Sequence, residues 1–215
     1  MNIINSFDKI KQDIKDNIIH NEAKIIAVSK TFPIEHIKPL IDHGHRDFGE
    51  NKVQEAEKKW KEIKKFTSDL KLHMIGKLQS NKAKKAVELF DYIHSLDNEK
   101  LANELSKRQK EKSKYLGYFI QVNVGSEEQK GGVEESDLKS FCDYCVNKLG
   151  LSVLGLMAIP PNDKETEKYF KKISELNSKF NFHQLSIGMS NDYLKAIKYG
   201  ASHVRIGSAI FGSRS

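Results

Sequence analysis

Apolar residues at Ile3, Phe7, Ile10, Ile14 and Ile18 recur every three to four positions, which predicts an amphipathic helix over Ile3 to Ile19. The pattern then changes. Lys24 to Ser29 is a short apolar run of strand-forming type, and after Pro33 the helical period returns over Ile34 to Ile41, closed by Gly44. The same beat repeats along the chain. Arg46 to Gly49 reads as a strand and Glu50-Asn51 as the start of a helix to about Lys65; Lys71 to Ile75 precedes a helix from about Asn81 to Leu89. Tyr92 to His94 is followed by a helix to about Lys110, which Asp97 or Asn98 is placed to cap. Tyr118 to Val124 opens into a glycine-bearing loop, Gly125 to Gly132, before a helix from about Glu135 to Leu149. Ser152 to Met157 leads to a helix over about Lys164 to Lys179, Phe182 to Leu185 to a short helix over Asp192 to Tyr199, and His203 to Ile206 is the last strand.

Eight strands alternating with helices is the count that closes a (β/α)8 barrel of the TIM type, here with an additional N-terminal helix. A doubly wound open sheet is the rival, but its first turn more often carries a glycine fingerprint, and Ser29-Lys30-Thr31-Phe32-Pro33 has none. The expected fold is therefore a single-domain α/β barrel over residues 1–215.

Composition narrows the setting. No apolar run approaches the length that crosses a bilayer and no charged segment precedes an apolar one at the N-terminus, so the cytoplasm is the expected location. The net charge of +7 is carried by lysines interspersed with glutamates, the composition of solvated helix faces, and no aromatic and basic interleaving suggests specific nucleic-acid binding. Cys142 and Cys145 form a single C-x-x-C within a helical pattern; with no second pair and no preceding strand, two ordinary thiols are expected rather than a metal or redox centre.

The C-terminal ends of barrel strands converge on one face, and this chain places polar groups there: Lys30, Glu50 with Asn51, His73 with Gly76, Ser95, Asn123, Met157, Ser186 to Ser190, and Arg205 with Gly207 and Ser208. A lysine closing an apolar strand either snorkels into solvent or points into a site. The loops after strands seven and eight, Gly188-Met189-Ser190 and Gly207-Ser208, have the glycines and hydroxyls of a phosphate cradle. His73 reads equally as a core histidine, Glu50 as a partner of a lysine or a first-turn acid, and Ser190 as a helix cap or a phosphate contact. Arg205, at the end of an interior strand, needs a buried acid or a ligand acceptor. A lysine opposite a phosphate cradle suggests a phosphorylated carbonyl compound held as a Schiff base.

The motifs Ala27-Val28-Ser29-Lys30, Phe48-Gly49-Glu50-Asn51, His73-Met74-Ile75-Gly76-Lys77-Leu78-Gln79-Ser80-Asn81-Lys82 and His94-Ser95-Leu96-Asp97 occur in that order. Gly155-Leu156-Met157, Leu185-Ser186-Ile187-Gly188-Met189-Ser190 and Val204-Arg205-Ile206-Gly207-Ser208 follow them. With these, nearly the whole chain resembles the YggS/PROSC family of pyridoxal-phosphate-binding proteins, related to the barrel domain of alanine racemase. The resemblance implies pyridoxal 5'-phosphate as cofactor, Lys30 as the lysine forming the internal aldimine, and Met189, Ser190, Gly207 and Ser208 around the phosphate. It places Arg205 against the pyridine nitrogen, and Asn51, His73 and Ser186 in or behind the cofactor wall. Lys52 stands where the family commonly has an aromatic and Ile187 where it commonly has methionine. A racemase would need a second base from a separate β-rich domain, which these residues do not include; the implied role is to bind, buffer or deliver the cofactor in vitamin B6 and amino-acid homeostasis. Slow racemase-like or transaminase-like turnover is the alternative. Recipient apo-enzymes are the implied partners, and a monomer is expected.

Overall fold

Eight short strands pair side by side, all parallel and in chain order, and the eighth pairs back onto the first, so that no sheet edge is left open. The computed structural model describes residues 2–17, 22–125, 131–161 and 165–212. The strands are β1 (Lys24–Val28), β2 (Asp47–Glu50), β3 (Lys71–Met74), β4 (Tyr92–Leu96), β5 (Gly117–Gln121), β6 (Ser152–Met157), β7 (Gln184–Met189) and β8 (His203–Ile206). Around them lie α1 (Ile3–Asp16), α2 (Ile34–Asp42), α3 (Val53–Trp60), α4 (Ile63–Phe66), α5 (Ala83–Leu89), α6 (Glu99–Lys112), α7 (Glu135–Asp143), α8 (Thr166–Lys179), α9 (Tyr193–Lys198) and α10 (Ser208–Phe211). The expected barrel and its extra N-terminal helix are both present. Among the described residues no helix is long and apolar enough to cross a membrane.

The main core lies between the barrel and its helices. Phe48, Trp60, Leu72, Phe90 and Phe170 are wholly buried there, each large side chain contributing roughly 1.5–3 kcal/mol by leaving water. Helix α1 adds Phe7, Ile10 and Ile14 to that layer, and its free N-terminal amides at Ile4 and Asn5 donate to the Asn2 side chain. Asn98 does the same for α6 through Leu101 N–H, at 2.9 Å.

Several boundaries differ from those the sequence predicts. The helix expected from Glu50-Asn51 to Lys65 is two pieces, α3 and α4, and Glu50 is the last residue of β2. Its carboxylate is wholly buried against α3, so the acid serves strand-to-helix packing instead of a first turn. Strand β7 runs on through Ile187-Gly188-Met189, a stretch that reads as loop because of its glycine, and α10 was not anticipated. The segment expected as one helix to Leu149 passes from α7 into a π-helical turn, Tyr144–Lys148. Ile18, Ile19, Lys164 and most of the Gly125 to Gly132 loop lie outside the described residues.

Three strand pairs carry register irregularities, β4 with β5, β5 with β6 and β7 with β8. Ser186 pairs with His203 but Met189 with Arg205, so β7 carries one residue more than β8 over this span. Strand β4 is likewise one residue longer than β5 between Ile93 and Leu96. Such extra residues bend a strand and re-aim the side chains after them.

The barrel interior departs from the aliphatic filling usual in this fold. Its middle is ringed by aromatics: His73 stacks on Tyr92 at 4.5 Å between centroids, His94 stacks on Phe119 at 4.3 Å, and His203 meets Phe119 edge-on at 5.1 Å. Above them, a Cβ on Gly49 would come within 2.9 Å of Ile26 Cγ2 and 3.0 Å of Ile75 Cδ1, so glycine is what lets these isoleucines meet.

Candidate functional site

A cavity of about 530 Å³ opens at the C-terminal ends of the strands. Lys30 reaches it from the turn after β1, and the backbone on both sides of Lys30 is anchored from behind. Ser29 is wholly buried; its hydroxyl donates to Glu50 Oε1 at 2.7 Å, while its carbonyl accepts from Lys59 Nζ at 2.8 Å. Lys59 Nζ also donates to Glu50 Oε1 at 2.8 Å, and Trp60 Nε1 donates to the same oxygen at 2.9 Å. On the other side Thr31 has a φ of 69°, a left-handed conformation costly for a β-branched residue, and its N–H donates to Glu55 Oε1.

The far wall of the cavity comes from the loops after β7 and β8. Ser190 Oγ accepts from Gly207 N at 3.2 Å and from Ala209 N at 3.3 Å. With both lone pairs engaged, its own proton is available to an acceptor in the cavity. Ser190 therefore does not cap the following helix, which begins after Asp192; Asp192 Oδ1 accepts from Met189 N at 2.6 Å and fixes the turn. Met189, Gly207 and the exposed Ser208 line the same wall.

Arg205 closes the cavity from below. It is buried, with NH1 donating to the Ser186 carbonyl and hydroxyl, both at 2.7 Å, and NH2 donating to the Ala158 carbonyl at 2.9 Å. Burial pulls its guanidinium down to about 10, so it stays charged at neutral pH. Two of the five N–H groups of a guanidinium are left without a partner among the described residues.

Of the residues singled out from the sequence, Lys30, Asn51, Met189, Ser190, Arg205, Gly207 and Ser208 share this cavity. His73 and Ser186 do not line it: both are wholly buried in the barrel interior, with Ser186 directly behind Arg205 and His73 deeper. Glu50 faces α3, Met157 is wholly buried, and Ser95 is buried with its hydroxyl unpartnered among the described residues. Asn123 lines a smaller neighbouring cavity of about 300 Å³, which meets the first at Asn51, Ile75 and Ile159. Phe32, Ile75, Ile159 and Asp192 line the main cavity without having been anticipated; single apolar residues in loops carry no periodic signal. The interior histidine His94, whose Nδ1 lies 2.9 Å from Ser186 Oγ, is likewise not singled out by the sequence.

Cys142 and Cys145 are free and buried, and burial pushes both thiols up to about 12, which disfavours the thiolate that redox or metal chemistry requires. No group of residues suited to a metal ion occurs among the described residues.

The family model described as the alanine racemase N-terminal domain matches residues 8–215. The chain belongs to this family. Within it, the pyridoxal phosphate homeostasis protein of Aquifex aeolicus is 42% identical over 203 residues, covering 90% of this chain and 88% of that one. The protein of the same name from Haemophilus influenzae is 37% identical over 230 residues, covering 100% and 97%. Among solved structures, PipY of Synechococcus elongatus with PLP bound superposes with a TM-score of 0.87 at 33% identity, over 98% of this chain and 100% of that one. These similarities place the chain among the family members named for pyridoxal phosphate homeostasis.

Proposed function

We propose that this chain binds pyridoxal 5'-phosphate in the main cavity and serves as a holder and buffer of that cofactor. The observation that carries the reading is the convergence on one cavity of three groups with different chemistry: an amine at Lys30, the Ser190 hydroxyl with its backbone amides, and the Arg205 guanidinium. When bound, pyridoxal phosphate supplies an aldehyde that condenses with a lysine amine and a pyridine ring whose electron demand depends on whether its nitrogen is protonated.

The residues present fit that group. Lys30 stands on a turn clamped at Ser29 and Thr31, so its amine is presented from a fixed backbone. Ser190 is a hydroxyl donor whose oxygen is oriented by two amides, a fit for an anionic oxygen. Arg205 is charged and can only donate, so it offers a hydrogen bond to a ring nitrogen while disfavouring a proton on it. A ring kept neutral withdraws electrons weakly, and this suits storage of the cofactor over its use on amino acids. PipY, at 33% identity over almost the whole chain, supports the assignment because it has been solved with PLP bound.

The test is an absorbance spectrum of the protein reconstituted with pyridoxal phosphate, then borohydride reduction and peptide mass analysis. Visible absorbance and a label on the peptide carrying Lys30 are expected. A label on another lysine removes the site assignment, and no binding removes the function. Incubation of the loaded protein with single L-amino acids should give no product that depends on Lys30.

A further inference from the structure

Beneath the cavity, five polar side chains from five different strands join end to end. Arg205 NH1 donates to Ser186 Oγ at 2.7 Å, Ser186 Oγ lies 2.9 Å from His94 Nδ1, His94 Nε2 lies 2.9 Å from His73 Nδ1, and His73 Nε2 lies 3.0 Å from Asp47 Oδ1. The series runs from the cavity floor to the start of β2, where Asp47 borders a second cavity at the opposite end of the barrel.

With both imidazoles neutral, the carboxylate end sets the direction of every bond in the series, and the guanidinium end is compatible with it. A guanidinium only donates, so Ser186 Oγ accepts from it and has its single proton left for His94 Nδ1. A neutral His94 that accepts at Nδ1 carries its own proton on Nε2 and donates to His73 Nδ1. His73 in turn carries its proton on Nε2 and donates to Asp47. An ionised carboxylate only accepts, so His73 Nε2 must carry a proton, and with neutral rings this decides the direction of the bonds back to Ser186. Burial would raise the Asp47 carboxyl, but the hydrogen bond from His73 and the nearby Lys24 ammonium act against it and the net direction is down.

Stacking on Tyr92 and Phe119 holds the two imidazole planes. Burial, the strongest influence on both rings, keeps them neutral, and for His94 the neighbouring His73, His203 and Arg205 act in the same sense. The charged or titratable groups around the series include Lys24, 3.6 Å from Asp47, then His45, Asp91, Tyr92, His203 and Arg205 itself.

We propose that Ser186, His94, His73 and Asp47 form a one-way hydrogen-bond relay that fixes the orientation of Arg205 beneath the cavity, with His94 as its central positioning residue. The relay stands on the geometry alone; its effect on ligand binding rests on the pyridoxal phosphate reading above. With NH1 held by Ser186 and NH2 by Ala158, the guanidinium plane is set, and its remaining N–H groups keep one direction. Without His94 as acceptor the Ser186 proton has no partner, and the hydroxyl competes for rotation instead of holding the arginine.

Two measurements test this separately. In ligand-free protein with nitrogen-15-labelled histidine, long-range proton–nitrogen correlations at neutral pH should show His94 and His73 both neutral, each with its proton on Nε2. A proton on Nδ1 of either ring, or a charged ring, overturns the relay whatever the protein binds. The second arm compares His94→Phe with His94→Gln, using pyridoxal phosphate and inorganic phosphate as probes. His94→Phe should lose about five- to tenfold in affinity for pyridoxal phosphate, the worth of one misplaced hydrogen bond, with inorganic phosphate unchanged; His94→Gln, which keeps an acceptor and a donor, should recover most of it. No loss, or an equal loss for both probes, overturns the positioning role. Should the phenylalanine variant fail to fold, Ser186→Ala is read the same way. The expected tautomers in a protein that never binds pyridoxal phosphate would remove the proposed function and leave the relay standing.

Discussion

Lys59 and Glu50 meet at 2.8 Å behind the strand that presents Lys30, with 8% and 0% of their side chains exposed. A buried pair of this kind is costly to form but far costlier to halve, because one partner alone leaves an uncompensated charge. Here three donors converge on Oε1 while Oε2 has none among the described residues, so the carboxylate depends on Lys59 for its counter-charge and on Trp60 and Ser29 for its place. Lys59→Met should destabilise the fold by about 3–5 kcal/mol in urea unfolding. Adding Glu50→Gln should recover part of that loss; a strictly additive double variant would show that the two groups do not act as a pair.

Ser190→Ala combined with Ser208→Ala should weaken pyridoxal phosphate at least tenfold relative to unphosphorylated pyridoxal, since a hydrogen bond to a charged acceptor is worth roughly 1.5–3 kcal/mol. Stability should fall by about 1 kcal/mol, because Ser190 Oγ accepts from the Gly207 and Ala209 amides at the start of α10. Equal weakening of both compounds, measured by titration, would move the phosphate elsewhere.

Acid should unfold this protein earlier than its carboxylates alone would require. Burial lowers His45 from 6.5 to about 4 and His203 from 6.5 to about 3. The unfolded chain binds those protons as pH falls below 6.5, while the folded chain does not accept them until each lowered value is reached. The contribution of these rings is therefore full above 6.5 and is lost as pH falls from 6.5 toward each lowered value, by roughly 2 kcal/mol for each of these two histidines at pH 5. His73 and His94, lowered for the same reason, add to the loss. Urea midpoints at pH 7, 6 and 5 should fall steadily; a flat profile would mean that these rings are protonated in the folded protein.

Gly76→Ala is expected to damage both fold and site. A Cβ there would sit 2.5 Å from the Asn51 carbonyl oxygen and 2.7 Å from its Cα, backbone atoms that cannot step aside cheaply. Because Asn51 lines the cavity, the loss of stability should come with weaker pyridoxal phosphate binding at saturating protein integrity, read by circular dichroism and titration on the same sample.

The barrel was legible because its signals are local: each strand is a short apolar run, and each helix has a period that a single window contains. Lys30, Ser190 and Arg205 were legible because polar groups at strand ends stand out against those runs. Glu50 was harder to place. An acid before a helical pattern looks like a first-turn residue, and nothing nearby in sequence shows that a strand ends there and turns its side chain toward Trp60. His94 is harder still, since its partner Ser186 lies 92 positions away and only barrel closure brings them together. For His73 the sequence leaves open the cavity wall, a place behind it and an ordinary core position, and its bonds to Asp47 and His94 hold it in the interior.

The extra residue in β7 between Ser186 and Met189 also limits how this chain can vary in length. Faces alternate along a strand, so deleting one residue at Ile187 or Gly188 would regularise the pairing with β8 and turn every later side chain of β7 to the opposite side. Ser186 would still back Arg205, but the loop bearing Ser190 would leave Gly207 and Ala209. A shortened β7 would therefore need a matching change elsewhere to keep Ser190 over Gly207 and Ala209, whereas a substitution leaves the register as it is.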